Sequence, residues 1–85
     1  MSDLNQLFEQ AQKDVKTLSA KPSDDDMLAL YSIYKQATDG DVTGDRPGFF
    51  DFVGGAKFDA RENLKGMSSE EAMQKYIDTV AELLG

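Results

Sequence analysis

Apolar residues spaced three or four positions apart dominate three stretches of this chain, and that spacing places them on one side of an α-helix. Leu4, Leu7, Phe8, Ala11, Val15 and Leu18 form one such stripe over residues 3–18. Met27, Leu30, Tyr31, Tyr34 and Ala37 form a second, with Leu28, Ser32 and Lys35 beside it. Met73, Tyr76, Ile77, Val80, Leu83 and Leu84 form a third. Strand-like alternation is absent, so the expected class is all-α.

Local signals set the expected boundaries. Ser2 is suited to cap the first helix, and the Ala20-Lys21-Pro22 stretch ends it, because proline disfavours helical geometry in the residue before it. Ser23 with Asp26 resembles a capping box in which Asp stands for the usual Glu. Asp24, Asp25 and Asp26 fall in the first turn, where the helix dipole favours negative charge. That role outweighs a metal-binding one. Residues 38–48, TDGDVTGDRPG, read as a loop, and Phe49, Phe50 and Phe52 are expected to anchor it to the core. A third helix is expected from about Gly54 to Leu64, carrying Ala56, Phe58 and Ala60, with Gly66 as its stop. It is weakly patterned and holds two adjacent glycines. Ser68 with Glu71 forms a full capping box ahead of the last stripe. The whole reads as one four-helix domain over residues 1–85.

At 85 residues the chain has room for one small core. Its net charge of −7 disfavours nucleic acid and anionic membrane surfaces. A local cluster of lysines can still hold a small anion, because screening confines exposed charges to roughly 10 Å at 0.1 M salt. There is no cysteine, which suits a reducing, cytoplasmic setting, and no apolar run near the length of a membrane span. The N-terminal segment lacks the basic start and apolar stretch of a signal peptide.

Catalysis is poorly provided for. Without histidine or cysteine, the commonest general base and the strongest nucleophile are both missing, and no hydrolase or P-loop motif is present. Asp39, Asp41, Thr43, Gly44 and Asp45 mimic the start of a calcium loop, but Phe50 occupies the position of the required bidentate glutamate. Neither a metal nor a cofactor is expected.

A binding site is better supported. Tyr31, Tyr34 and Lys35 lie within one helical turn and share a face. A phenol offers a ring and a hydroxyl, and a lysine offers a compact charge suited to phosphate. Lys16, Lys57 and Tyr76 could converge on them from the other helices. The residues four positions before Lys16, Lys35 and Lys57 are Gln12, Tyr31 and Val53, so none of these lysines has an acidic partner in the better orientation. Taken singly, each is an ordinary surface lysine, and the tyrosines are ordinary core.

Taken together, the segments Lys21-Pro22, Met27-Leu28, YSIYKQATDGD at 31–41, RPG at 46–48, DFVGGAKFDA at 51–60 and LKGMSSEEAMQKYI at 64–77 resemble the acyl-CoA-binding proteins over nearly the whole chain. The resemblance implies an up-down-down-up four-helix bundle and a non-catalytic, cytoplasmic, monomeric carrier of long-chain acyl-CoA esters. Such a carrier makes transient contact with acyl-CoA-using enzymes and does not insert stably in membranes. It implies that Tyr31, Lys35 and Lys57 gather around the 3′-phosphate of the ribose and that Tyr34 and Tyr76 flank the nucleotide. Lys16 would add a cation near the head group, and Met27 and Leu28 would meet apolar parts of the ligand. The chain departs from the family pattern at Val53 and Gly55, where many members have lysine, and at Phe58 and Arg61, where tryptophan is common. The rival reading is a small helical protein-interaction module without a CoA ligand.

Overall fold

A computed structural model describes residues 2–85, apart from the side chain of Ser2, so the proposed Ser2 cap lies outside the described residues. Among them are four α-helices and no strand: α1 (Ser2–Val15), α2 (Asp24–Asp39), α3 (Phe52–Glu62) and α4 (Ser69–Leu84). The four-helix, all-α reading therefore stands. None of the helices is long and apolar enough to cross a membrane.

Two helix starts show how one methylene matters. At α4 the Ser68 hydroxyl accepts from the Glu71 N–H at 3.1 Å, and the Glu71 carboxylate accepts from the Ser68 N–H at 3.0 Å. At α2 the Ser23 hydroxyl accepts from the Asp26 N–H, also at 3.1 Å, but no return bond forms. Asp26 is one methylene shorter than glutamate, which leaves the box half built.

Three boundaries differ from expectation. The α1 helix ends at Val15 rather than near Leu18, and two three-residue turns, Lys16 N–H to Lys13 O and Thr17 N–H to Asp14 O, tighten its exit. The α2 helix continues through Thr38 to Asp39. The α3 helix starts two residues early, because the Asp51 side chain accepts from the Gly54 N–H at 2.9 Å and caps it, and it ends at Glu62. Side-chain ends fold back over the two glycines that weakened its pattern. A Cβ on Gly54 would collide with the Asp51 carboxylate, and one on Gly55 would lie 2.8 Å from an Arg46 guanidinium nitrogen.

The packing order is α1, α4, α2, α3. The α4 helix lies between α1 and α2, and α3 packs on α2 alone. The core comes from the first three of these: Phe8 and Ala11; Leu30, Ile33 and Ala37; Ala72, Tyr76 and Val80. The only buried residue of α3 is Gly55.

The expectation that Phe49, Phe50 and Phe52 anchor the loop is wrong. Their exposures are 78%, 86% and 73%, and the rings of Phe49 and Phe50 pack edge-to-face on each other. Val42 is the loop's buried apolar side chain, and Arg46 clamps the loop to α3 through two bonds to the Asp59 carboxylate at 3.0 and 3.1 Å. One small apolar residue and a fork-shaped ion pair do the work assigned to three phenylalanines.

Candidate ligand-binding site

The α2 helix is apolar over a wider arc than the core can use. Leu30, Ile33 and Ala37 turn inward with Ser32 and Gln36, while Met27, Tyr31 and Tyr34 remain half-buried or exposed. The stripe read from the sequence as core is thus split: Leu30 and Ala37 enter the core, and Met27, Tyr31 and Tyr34 face a groove at its edge. Tyr34 rests on Phe8 with ring centroids 5.9 Å apart, and Tyr76 meets Phe8 edge-on at 5.2 Å. Phe8 therefore sets both tyrosines from behind.

Three adjoining clefts meet at Tyr31. The first, ≈ 360 Å³, is walled by Lys16 at the end of α1, Met27, Tyr31 and Tyr34 of α2, and Tyr76 of α4. The second, ≈ 610 Å³, runs between α2 and α3 and is lined by Met27, Leu28, Phe52, Val53, Ala56 and Lys57. The third, ≈ 220 Å³, lies under the 42–47 loop and includes Tyr31, Lys57 and Arg61. Together they form a groove with a phenol at its centre, cations toward two ends and an apolar trough on one side. This arrangement suits a ligand with an anionic head and an oily tail.

Seven of the eight residues singled out from the sequence line the first two clefts: Lys16, Met27, Leu28, Tyr31, Tyr34, Lys57 and Tyr76. The Lys57 ammonium sits 4.9 Å from the centroid of the Tyr31 ring, a cation–π contact that joins α3 to α2. Lys35, the eighth, stands next to Tyr31 but is not unpaired. Its ammonium bonds the Asp39 carboxylate at 2.9 Å, the less favoured (i, i+4) order for an ion pair. That bond, with the attraction of the same carboxylate, raises the Lys35 pKa and lowers that of Asp39. An incoming phosphate would share Lys35 with Asp39. Burial, and secondarily Tyr34, pushes the Tyr76 phenol up, so its hydroxyl keeps its proton at neutral pH and can donate.

Among the described residues no cluster of three or more acidic side chains is arranged to hold a metal. The acidic loop residues have structural partners instead. Asp39 pairs with Lys35, and Asp41 accepts from the Gln36 amide and the Gly66 N–H, both at 2.8 Å.

Sequence reasoning passed over several lining residues. Phe52 and Val53 were hidden by a helix start placed two residues late, and Ala56 was read as a core position rather than a cleft wall. Arg61 was readable as the (i, i+4) neighbour of Lys57, on the same face of α3.

Comparison with known proteins bears on the family and the fold. The family described as "Acyl CoA binding protein" matches residues 5–80. An acyl-CoA-binding protein of Saccharomyces cerevisiae is 47% identical over 81 residues, covering 95% of this chain and 93% of the relative. One from Brassica napus is 48% identical, covering 95% and 88%. The crystal structure of Oryza sativa acyl-CoA-binding protein 2 superposes with a TM-score of 0.87 at 46% identity, covering 95% of this chain and 90% of that one. A match this long, at this identity and with the same helix arrangement, leaves one assignment: the chain belongs to the acyl-CoA-binding protein family.

Proposed function

We propose that the protein binds long-chain acyl-CoA esters and carries them without catalysis. The observation that supports this most is the meeting of the apolar α2–α3 trough and the cationic clefts at a single residue, Tyr31. In this reading Tyr31, Lys35 and Lys57 take the 3′-phosphate of the ribose through charge-assisted bonds. Tyr34 and Tyr76 flank the nucleotide, and Lys16 faces the head group from α1. Met27 and Leu28 meet the acyl chain, which gains about 0.8 kcal/mol per methylene removed from water before ordering costs. A cytoplasmic, monomeric carrier in transient contact with acyl-CoA-using enzymes completes the proposal. The rival interaction-module reading has no support in the family comparison.

Calorimetric titration with palmitoyl-CoA, 3′-dephospho-palmitoyl-CoA and palmitate tests the assignment. Palmitoyl-CoA should bind tightest, the dephospho form much more weakly and palmitate negligibly. Lys57→Ala should weaken palmitoyl-CoA by about 10- to 100-fold, the loss of one charged hydrogen bond. Equal affinity for the first two ligands would remove the phosphate assignment, and an indifferent Lys57→Ala would favour the interaction module.

A further inference from the structure

The cleft beneath the 42–47 loop holds a cation that the phosphate site above does not use. Arg61 follows Lys57 by one turn of α3, and both line this cleft with Tyr31. Its Nη2 lies 3.4 Å from the Gly40 carbonyl, which puts it on the side of the cleft facing the end of α2, near Lys35 and Asp39. Three cations, Lys35, Lys57 and Arg61, therefore surround one phenol. Of the nearby carboxylates, Asp39 is taken by Lys35, and Asp45 stands in the cleft wall.

A guanidinium carries five N–H donors. Among the described residues Arg61 uses one of them, from Nη2 to the Gly40 carbonyl at 3.4 Å, beyond the usual range for such a bond. Its Nε is buried without an acceptor. The Gly40 contact lets Arg61 complement the negative end of α2, whose own last turn has no basic residue. That role accounts for one donor and leaves the fork largely unspent. A partly buried fork with spare donors, beside two lysines and a phenol, is arranged for a phosphate, which it can grip through two parallel bonds.

We infer that Arg61 is a phosphate-recognition residue of this chain, joining Lys57 and Tyr31 around the 3′-phosphomonoester at the nucleotide end of the ligand. The inference rests on the acyl-CoA reading and adds a specificity determinant to it. Arg61 does not line the acyl trough, so its contribution is independent of chain length.

Titrations of the wild type, Arg61→Gln and Arg61→Lys, each with palmitoyl-CoA and with 3′-dephospho-palmitoyl-CoA, separate the possibilities. Arg61→Gln should weaken palmitoyl-CoA by about 10- to 100-fold while leaving the dephospho ligand at wild-type affinity, and Arg61→Lys should recover part of the loss. The unchanged dephospho titration also reports that the variant is folded. Equal weakening for both ligands would make Arg61 a support for α2 or a contact of another part of the ligand, and no weakening would make it a bystander. Either result overturns the inference while the acyl-CoA reading survives. A wild-type protein that binds neither ligand overturns both.

Discussion

Between α1, α4 and α2 the packing closes over an apolar core, with the first cleft at its edge, whereas the seam between α2 and α3 is open and tied by polar side chains. On the closed side, Phe8, Ala11, Ile33, Ala72, Tyr76 and Val80 exclude water from one another. On the open side α3 buries only Gly55. Its polar ties are the Arg46–Asp59 fork, the Lys57–Tyr31 contact and the Arg61–Gly40 bond, while the Gln36 amide, bonded to Asp41 and to the Met67 carbonyl at 2.8 Å each, fixes the loop and the connection to α4 on either side of it. The apolar surface that α3 and α2 leave unpaired is the trough assigned to the acyl chain. A helix held by polar ties can leave that surface for a ligand, and a helix held by burial would have consumed it. The open side should accordingly be the part of the molecule that exchanges and unfolds locally first.

The largest expected effect breaks the closed side. Ile33, 3% exposed, sits in the middle of the buried face of α2. Ile33→Ala should cost about 2–5 kcal/mol, through lost burial and an imperfectly filled cavity. In a domain whose total stability is of the order of 5–15 kcal/mol, denaturant unfolding should shift to a far lower midpoint. A shift of only a few tenths of a kcal/mol would mean that the closed side is not the main source of stability.

The second prediction concerns the polar junction. Asp41 is held below the ordinary carboxylate range, first by the Gly66 N–H and then by the Gln36 amide. With a lowered folded pKa, the unfolded chain takes up the proton first as pH falls. The stability contributed by Asp41 is therefore complete above about pH 4 and is lost as pH drops through the folded value. Asp39, Asp59 and Glu71 shift in the same direction, held by Lys35, Arg46 and the Ser68 N–H respectively. Asp41→Asn keeps an acceptor for both donors but cannot titrate. The variant should be less stable than the wild type at pH 7 and should lose less stability between pH 5 and pH 2, as read from urea midpoints across that range. Parallel pH curves for the two proteins would show that Asp41 does not couple the end of α2 to the α3–α4 connection.

The two sides were not equally legible in the sequence. On the closed side the stripes found Phe8, Ala11, Leu30, Ala37, Tyr76 and Val80, because burial imposes a period, but they passed over Ile33 and Ala72 and took in Leu7 and Leu84, which are exposed. The family resemblance named seven residues that line the groove, and it could do so because motif spacing survives where periodicity is weak. The open side's supports were missed for physical reasons. Gln36 is fully buried, yet nothing in its neighbours announces a polar core residue that bridges to Met67. The double glycine looked like a helix breaker because what lies over it, the Asp51 carboxylate and the guanidinium of Arg46, comes from residues that precede the helix. The stripe of Met27, Tyr31 and Tyr34 obeyed the core period while facing a cleft, since periodicity reports a face and not what covers it. Phe49, Phe50 and Phe52 misled for the converse reason: hydrophobicity alone does not report burial.

Those phenylalanines give the smallest expected effect and the sharpest test of the division. Phe50 is 86% exposed, touches the equally solvated Phe49, and lines none of the three clefts at Tyr31. Its removal exposes no core and opens no cavity. Phe50→Ser should therefore change stability by no more than about 0.5 kcal/mol, a thermal shift of roughly 2–4 °C in a domain of this size. Phe52 is nearly as exposed but forms a wall of the α2–α3 trough. Phe52→Ser should match Phe50→Ser in thermal stability and differ from it in ligand affinity, weakening palmitoyl-CoA more than a short-chain ester such as octanoyl-CoA. If both variants lose stability alike, the exposed rings belong to the fold after all. If neither alters the dependence on chain length, the acyl chain runs elsewhere than along α3. A pair separated only by the ligand would show that apolar residues two positions apart serve different purposes, and that the purpose is set by which side of the α3 N-terminus each one faces.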